Sequence, residues 1–124
     1  MKVGEIIEYV DMVEPNQFDA AVKIAWIADL DRKVREEIVL RHEGVTTEEW
    51  NPPADINDTL IIPDPYARDV YEYFLRGKIA AANLEDVRYN QHSIMFNAAY
   101  LDYAKWYKRT HLPLKPKVGS RFRF

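Results

Sequence analysis

Four stretches of this chain space their apolar residues three and four positions apart, and each is closed off by proline, glycine or asparagine. That punctuated helical period commits the sequence to packed helices rather than to a sheet. In the first stretch Val3, Ile6, Ile7, Val10 and Val13 share one face while Lys2, Glu5, Glu8 and Asp11 fill other positions. Glu14-Pro15-Asn16 ends it, because proline disfavours helical geometry at the residue before it. Asn16, with Asp19 three residues on, reads as the cap of a second helix reaching from Phe18 to about Arg41, whose stripe is Ile27, Leu30, Val34 and Ile38. His42-Glu43-Gly44 closes that helix with a cation and a glycine suited to a left-handed terminus.

Residues 44 to 63 have no helical period and hold three of the seven prolines, and a connection of that length in a compact domain is usually functional. Its end, Thr59-Leu60-Ile61-Ile62, reads as a short strand free to add to a neighbour's backbone, with Trp50 as a further contact residue of the loop. Asp64-Pro65 then opens a third helix running to about Ala82. Asn83, with Asp86 as its capping partner, opens a fourth that stops near Thr110 before Pro113 and Pro116. Leu84, Val87, Gln91, Ile94, Ala98 and Leu101 are expected to form its inner stripe. The expected fold is all-α: a small antiparallel bundle of about four helices over residues 1 to 111, a long loop at 44 to 63, and an extended basic tail at 112 to 124.

Charge is divided along the chain. Residues 1 to 104 carry 10 Lys and Arg against 20 Asp and Glu, whereas residues 105 to 124 carry 7 Lys and Arg and no acid. An acidic body with a basic arm offers one surface and seeks its opposite, which is an argument about partners. In the arm, Lys115, Lys117, Arg121 and Arg123 interleave with Phe122 and Phe124, a pattern that suits either nucleic acid, by charge and stacking, or the acidic body of another copy.

Chemistry finds little to work with. There is no cysteine, so thiol catalysis, cysteine zinc sites and disulfides are excluded. His42, His92 and His111 lack ligand spacing and read as surface or capping residues. Asp55-Ile56-Asn57-Asp58 lacks the glycine and glutamate of a calcium loop and reads as a turn, and four scattered glycines build no phosphate loop. The acidic pairs Glu36-Glu37 and Glu48-Glu49 read as solvated, and Ser93 and Ser120 have no nucleophile context. The aromatic run Tyr89, Phe96, Tyr100, Tyr103, Trp106 and Tyr107 is expected to fill the core or grooves, with any exposed member marking an interface. The N-terminal residues are too interrupted by acids for a signal or membrane segment. The expectation is a soluble protein that is not an enzyme and takes no cofactor.

The segments GEIIEYVDMVEPNQ, KIAWIADLDRKVREEI and IPDPYARDVYEYFLRGKIAAANLEDVRYNQHSIMFNAAYLDYAKWYKRTHLP resemble the small neck or connector proteins of tailed-phage and prophage structural gene clusters. The resemblance implies a helical adaptor that forms a ring, of twelve subunits in such assemblies, between the portal of the capsid and the tail. It implies a structural subunit in the virion neck, assembled in the bacterial host cytoplasm, whose partners are further copies of itself and the portal and tail or neck proteins. DNA would pass through the lumen without specific binding, since an acidic wall repels it. The other reading of the residues is a nucleic-acid-binding or regulatory helical module that uses the basic tail.

Overall fold

The computed structural model describes residues 1–42 and 49–112 and contains four α-helices: α1 (Val3–Val13), α2 (Ala20–Glu37), α3 (Ala67–Ala82) and α4 (Asp86–Thr110), with a single 3₁₀ turn at Val39–Arg41 after α2. The all-α bundle expected from the apolar period is what forms. The arm residues Lys115, Lys117, Arg121, Phe122, Arg123 and Phe124 lie outside the described residues.

The core is made where α1, α2 and α3 meet. Val3, Ile6, Ile7 and Val10 of α1, Ile27, Leu30 and Val34 of α2, and Val70, Tyr71, Leu75 and Ile79 of α3 pack into one buried cluster, completed by Tyr103 and Tyr107 from α4. Asp19, rather than Asn16, caps α2 by accepting from the Val22 N–H at 3.2 Å. Asn16 is occupied in the turn before it, where its Oδ1 accepts from Phe18 N at 3.1 Å and its Nδ2 donates to Asp11 Oδ1 at 3.0 Å. Lys23 is buried, but its ammonium reaches Asp11 Oδ1 at 2.6 Å and the Phe18 carbonyl at 2.7 Å, so the charge is satisfied while the stem fills space between α1 and α2.

The connection between α2 and α3 departs from expectation. Among the described residues no strand forms at Thr59 to Ile62; a lone antiparallel bridge joins Thr59 to Lys2. The segment is stitched to the start of α1 by Val3 N to Asp58 O (3.0 Å), Gly4 N to Ile56 O (2.8 Å) and Leu60 N to Met1 O (3.0 Å). Gly4 is required there: a Cβ would stand 3.1 Å from the Ile56 carbonyl oxygen, too close for a backbone pair to accept comfortably. Leu60 and Ile62 are buried in the core and Ile61 packs against it, so they are internal packing residues in this conformation and do not present the free strand proposed for partner binding. The turn ahead of them holds itself, with Asp58 Oδ2 accepting from Ala54 N at 2.7 Å and Asp55 N at 2.9 Å.

Beyond the bridge, the loop's backbone donors are met by side chains instead of by a second strand. Ile61 N–H donates to Asp31 Oδ2 at 3.2 Å, Ile62 N–H donates to the Tyr71 hydroxyl at 3.3 Å, and that hydroxyl donates to Asp31 Oδ1. Asp31 and Tyr71 are fully buried. Burial raises the Asp31 carboxyl to about 6, against the downward pull of the hydrogen bonds from Tyr71 and Ile61. A carboxyl raised in the folded state favours folding below its unfolded value near 4 and loses that contribution as the pH climbs through 6.

Asp31→Asn, which cannot ionise, should therefore gain stability relative to the parent as pH rises from about 4 to about 7, by about 3 kcal/mol across that span. Urea unfolding at several pH values measures it, and parallel pH profiles for the two proteins would contradict the burial of this carboxylate.

Candidate functional site

α4 makes its helix-to-helix contacts with α3, and its length of about 37 Å leaves a long side uncovered. Its inner face is aromatic. Phe96 packs on Phe74 at 5.7 Å between ring centroids and stacks with Tyr100 at 5.5 Å, while Trp106 lies 5.3 Å and Tyr103 6.2 Å from Tyr66. Tyr107 is enclosed between His42 at 4.9 Å and His111 at 3.8 Å. Tyr100 also donates to Glu37 Oε1 at 3.2 Å, a tie from α4 to the end of α2. Gly77 faces α4, and a Cβ there would stand 3.7 Å from that of His92, an ordinary packing contact.

The stripe expected to face inward faces outward. Val87 is 71% exposed, Ile94 69% and Leu101 53%, with Gln91 and Ala98 exposed between them. The reason is area: Phe96, Tyr103 and Tyr107 on the opposite side bury more apolar surface than the aliphatic set could, and the helix turns its larger apolar face to the core. Met95 flanks the exposed stripe and Leu84 stands just before the helix. Tyr89 is the exposed member of the aromatic run, whereas Phe96, Tyr100 and Trp106 are partly and Tyr103 and Tyr107 almost wholly buried. This apolar helix face, interrupted by Gln91 and open to solvent, is the candidate interaction surface of the fold.

The approach to this face is set by an unusual turn. Asn83 closes α3 instead of capping α4; Glu85 N bonds Ala80 O at 2.9 Å and Leu84 N bonds Ala81 O at 3.2 Å, the paired bonds of a Schellman ending. That ending needs a left-handed residue, and Leu84 supplies it at φ 58° while remaining 85% exposed. Glycine or asparagine would occupy that position without strain, so a leucine held there keeps an apolar side chain in water at a conformational cost.

A second polar site lies at the α1 end. Glu14, buried, accepts from Arg76 Nε at 3.1 Å, and Arg76 also donates to Glu72 Oε2 at 2.8 Å. His92 Nε2 is 3.4 Å from Glu14 Oε1 but not aligned as a hydrogen bond, and Glu14 Oε2 is likewise unpaired. Burial lowers the His92 pKa, the Arg76 charge pushes the same way, and Glu14 opposes both. The cluster clamps the chain after α1 to α3 and α4.

Among the described residues no group of three or more His, Asp or Glu side chains is placed to hold a metal ion, and no helix is long and apolar enough to cross a membrane. His42 caps the 3₁₀ turn after α2, with its buried ring placing Nδ1 2.6 Å from the Ile38 carbonyl, as the capping reading expected, whereas His92 is interior in the Glu14 cluster and is neither a surface nor a capping residue. Trp50 is half-buried beneath the Arg35 guanidinium, 5.2 Å from its ring centroid. Of the loop residues singled out by sequence, the structure brings Leu60, Ile61 and Ile62 together in the interior and leaves Trp50 apart on the surface. Comparison of the chain with family models, with curated proteins and with solved structures gave no match.

The two faces of α4 should separate cleanly in thermal unfolding. Ile94→Glu is expected to change stability by no more than about 0.5 kcal/mol, whereas Tyr103→Ala should cost about 3 kcal/mol or more. Leu84→Gly should stabilise the chain by about 1 kcal/mol through relief of the left-handed backbone. A large loss from Ile94→Glu in a monomeric sample would place that residue inside.

Proposed function

We propose that the chain is a structural assembly subunit of the head-tail connector kind, joining copies of itself into a ring between portal and tail, with no catalytic role. The observation that carries the assembly reading is the open apolar face of α4. Sequence resemblance supplies the connector class. The charge division supports it: Glu5, Glu8, Asp29, Glu36, Glu37, Asp69, Glu85 and Asp86 are all exposed on the helical body, and the basic arm follows Leu112 in the sequence.

A ring requires one patch to meet a different patch on the next copy, and an acidic body with a cationic arm has that polarity. Twelve residues beyond Leu112 span at most about 40 Å when extended, enough to reach across a neighbouring subunit of this size. The loop's strand-addition role is withdrawn from this reading, because Leu60 and Ile62 are interior. The nucleic-acid reading keeps one favourable observation: Lys105, Lys108 and Arg109 are exposed on the last turns of α4 and run into the cationic arm.

Light scattering of the full chain at high concentration should reveal species larger than a dimer, and removal of residues 113 to 124 should diminish them. Neutralising Lys115, Lys117, Arg121 and Arg123 together should act in the same direction and lower the dependence on salt. No species above a dimer at any concentration, and no binding to a portal assembly, would defeat the connector reading. Tight DNA binding that falls steeply with salt and disappears on the same neutralisation would favour the alternative.

A further inference from the structure

We propose that the outward face of α4 docks on the same face of a second copy, the two helices running antiparallel about a two-fold axis. The inference rests on the reading of that face as an assembly surface and names what covers it. Val87, Gln91, Ile94, Ala98 and Leu101 are separated by four, three, four and three residues, which keeps them in one stripe along the helix, as in the seam of a helix pair.

A two-fold interface must be complementary to itself. The flanking charges meet that condition. Arg88 and Asp102 are both exposed, stand two heptads apart on the same flank of the stripe, and make no ion pair with any other described residue. When the helices are laid antiparallel so that Ile94 faces Ala98 of the second copy, Gln91 faces Leu101 of the second copy. In that register Arg88 lies beside Asp102 of the second copy at both ends, and Met95 meets its own counterpart near the axis. One alignment thus sets Ile94 on Ala98 in the two central layers and joins both charge pairs, with Gln91 against Leu101 and Val87 against the Lys105 stem toward the ends. Small Ala98 opposite Ile94 lets the helices approach closely, and α4 is the outermost element, so no other helix stands between the two stripes.

A parallel, in-register pair would instead place Asp102 beside Asn97 and Arg88 beside Asn83 of the second copy, leaving both charges without an opposite partner. Charge order along the helix therefore selects the antiparallel pair. This contact is isologous and closes at two copies, so it is separate from the head-to-tail contact that builds a ring.

The decisive experiment is charge exchange on the full chain, followed by sedimentation equilibrium and by oxidation of Met95→Cys. The parent should dimerise, and Ile94→Glu should weaken the dimer at least about a hundredfold without loss of helicity. Arg88→Asp and Asp102→Arg should each weaken it roughly tenfold, and the double exchange should restore it. Met95→Cys should form a disulfide dimer in the parent background and not in the Ile94→Glu background. A strictly monomeric chain, a dimer indifferent to Ile94→Glu, or failure of the double exchange to rescue would overturn the proposal. A chain whose only oligomers are larger than a dimer, survive Ile94→Glu and vanish with the arm would do so while leaving the connector reading intact, whereas a rescued dimer with no larger species would uphold the pairing and count against the ring.

Discussion

The aromatic seam between α3 and α4 is the constraint from which the rest of the molecule's surface follows. α1, α2 and α3 enclose their own aliphatic core, and α4 joins it through rings: Phe96 on Phe74, Tyr103 and Trp106 on Tyr66, and Tyr107 between two histidines. Rings are wide enough to cement a helix from one side alone. A helix so attached needs no second neighbour for its own stability, and its far side is released from packing. That far side carries Val87, Ile94 and Leu101, residues that folding of the single chain does not explain.

The loop between α2 and α3 is governed by a different economy. Its backbone donors at Ile61 and Ile62 are buried beside the core, where an unmade hydrogen bond is costly. A partner strand would have satisfied them, and the sequence signal for a strand was genuine in that sense. Asp31 and Tyr71 do the same work from the faces of two helices, and the loop becomes an internal strap whose apolar side chains are consumed by the core. The price is an ionisable group with no access to water, visible in its raised pKa.

Local signals made much of this legible. Glu14-Pro15 ends α1 where expected, α3 runs to Ala82, and α4 ends at Thr110, because caps and prolines act on their immediate neighbours. Helix starts were read less well: Asn16 and Asn83 are good caps that the structure uses otherwise, one in a side-chain turn and one as the end of α3. The direction of α4 was not legible from period alone, since the helix carries two apolar faces and periodicity gives the spacing of a stripe but not its destination. Weighing ring area against aliphatic area would have turned it correctly. The strap was beyond local reading altogether, since Asp31 and Ile61 are thirty residues apart.

The two apolar faces share a spacing of three and four residues and differ in what they carry. Inner positions Phe96, Tyr103, Trp106 and Tyr107 are rings that meet side chains of several elements. The outer set is narrow and aliphatic apart from Gln91, a stripe of the shape that a single elongated partner lying along the helix would cover. Leu84 extends that side beyond the first turn, and it does so in a backbone conformation that leucine seldom adopts. Solubility and folding both favour a polar residue at these positions, and neither accounts for a leucine kept exposed in a strained turn. Cover by a partner, as proposed for this face, would account for it, because apolar atoms held in fixed positions on a rigid helix lose little entropy when they are covered.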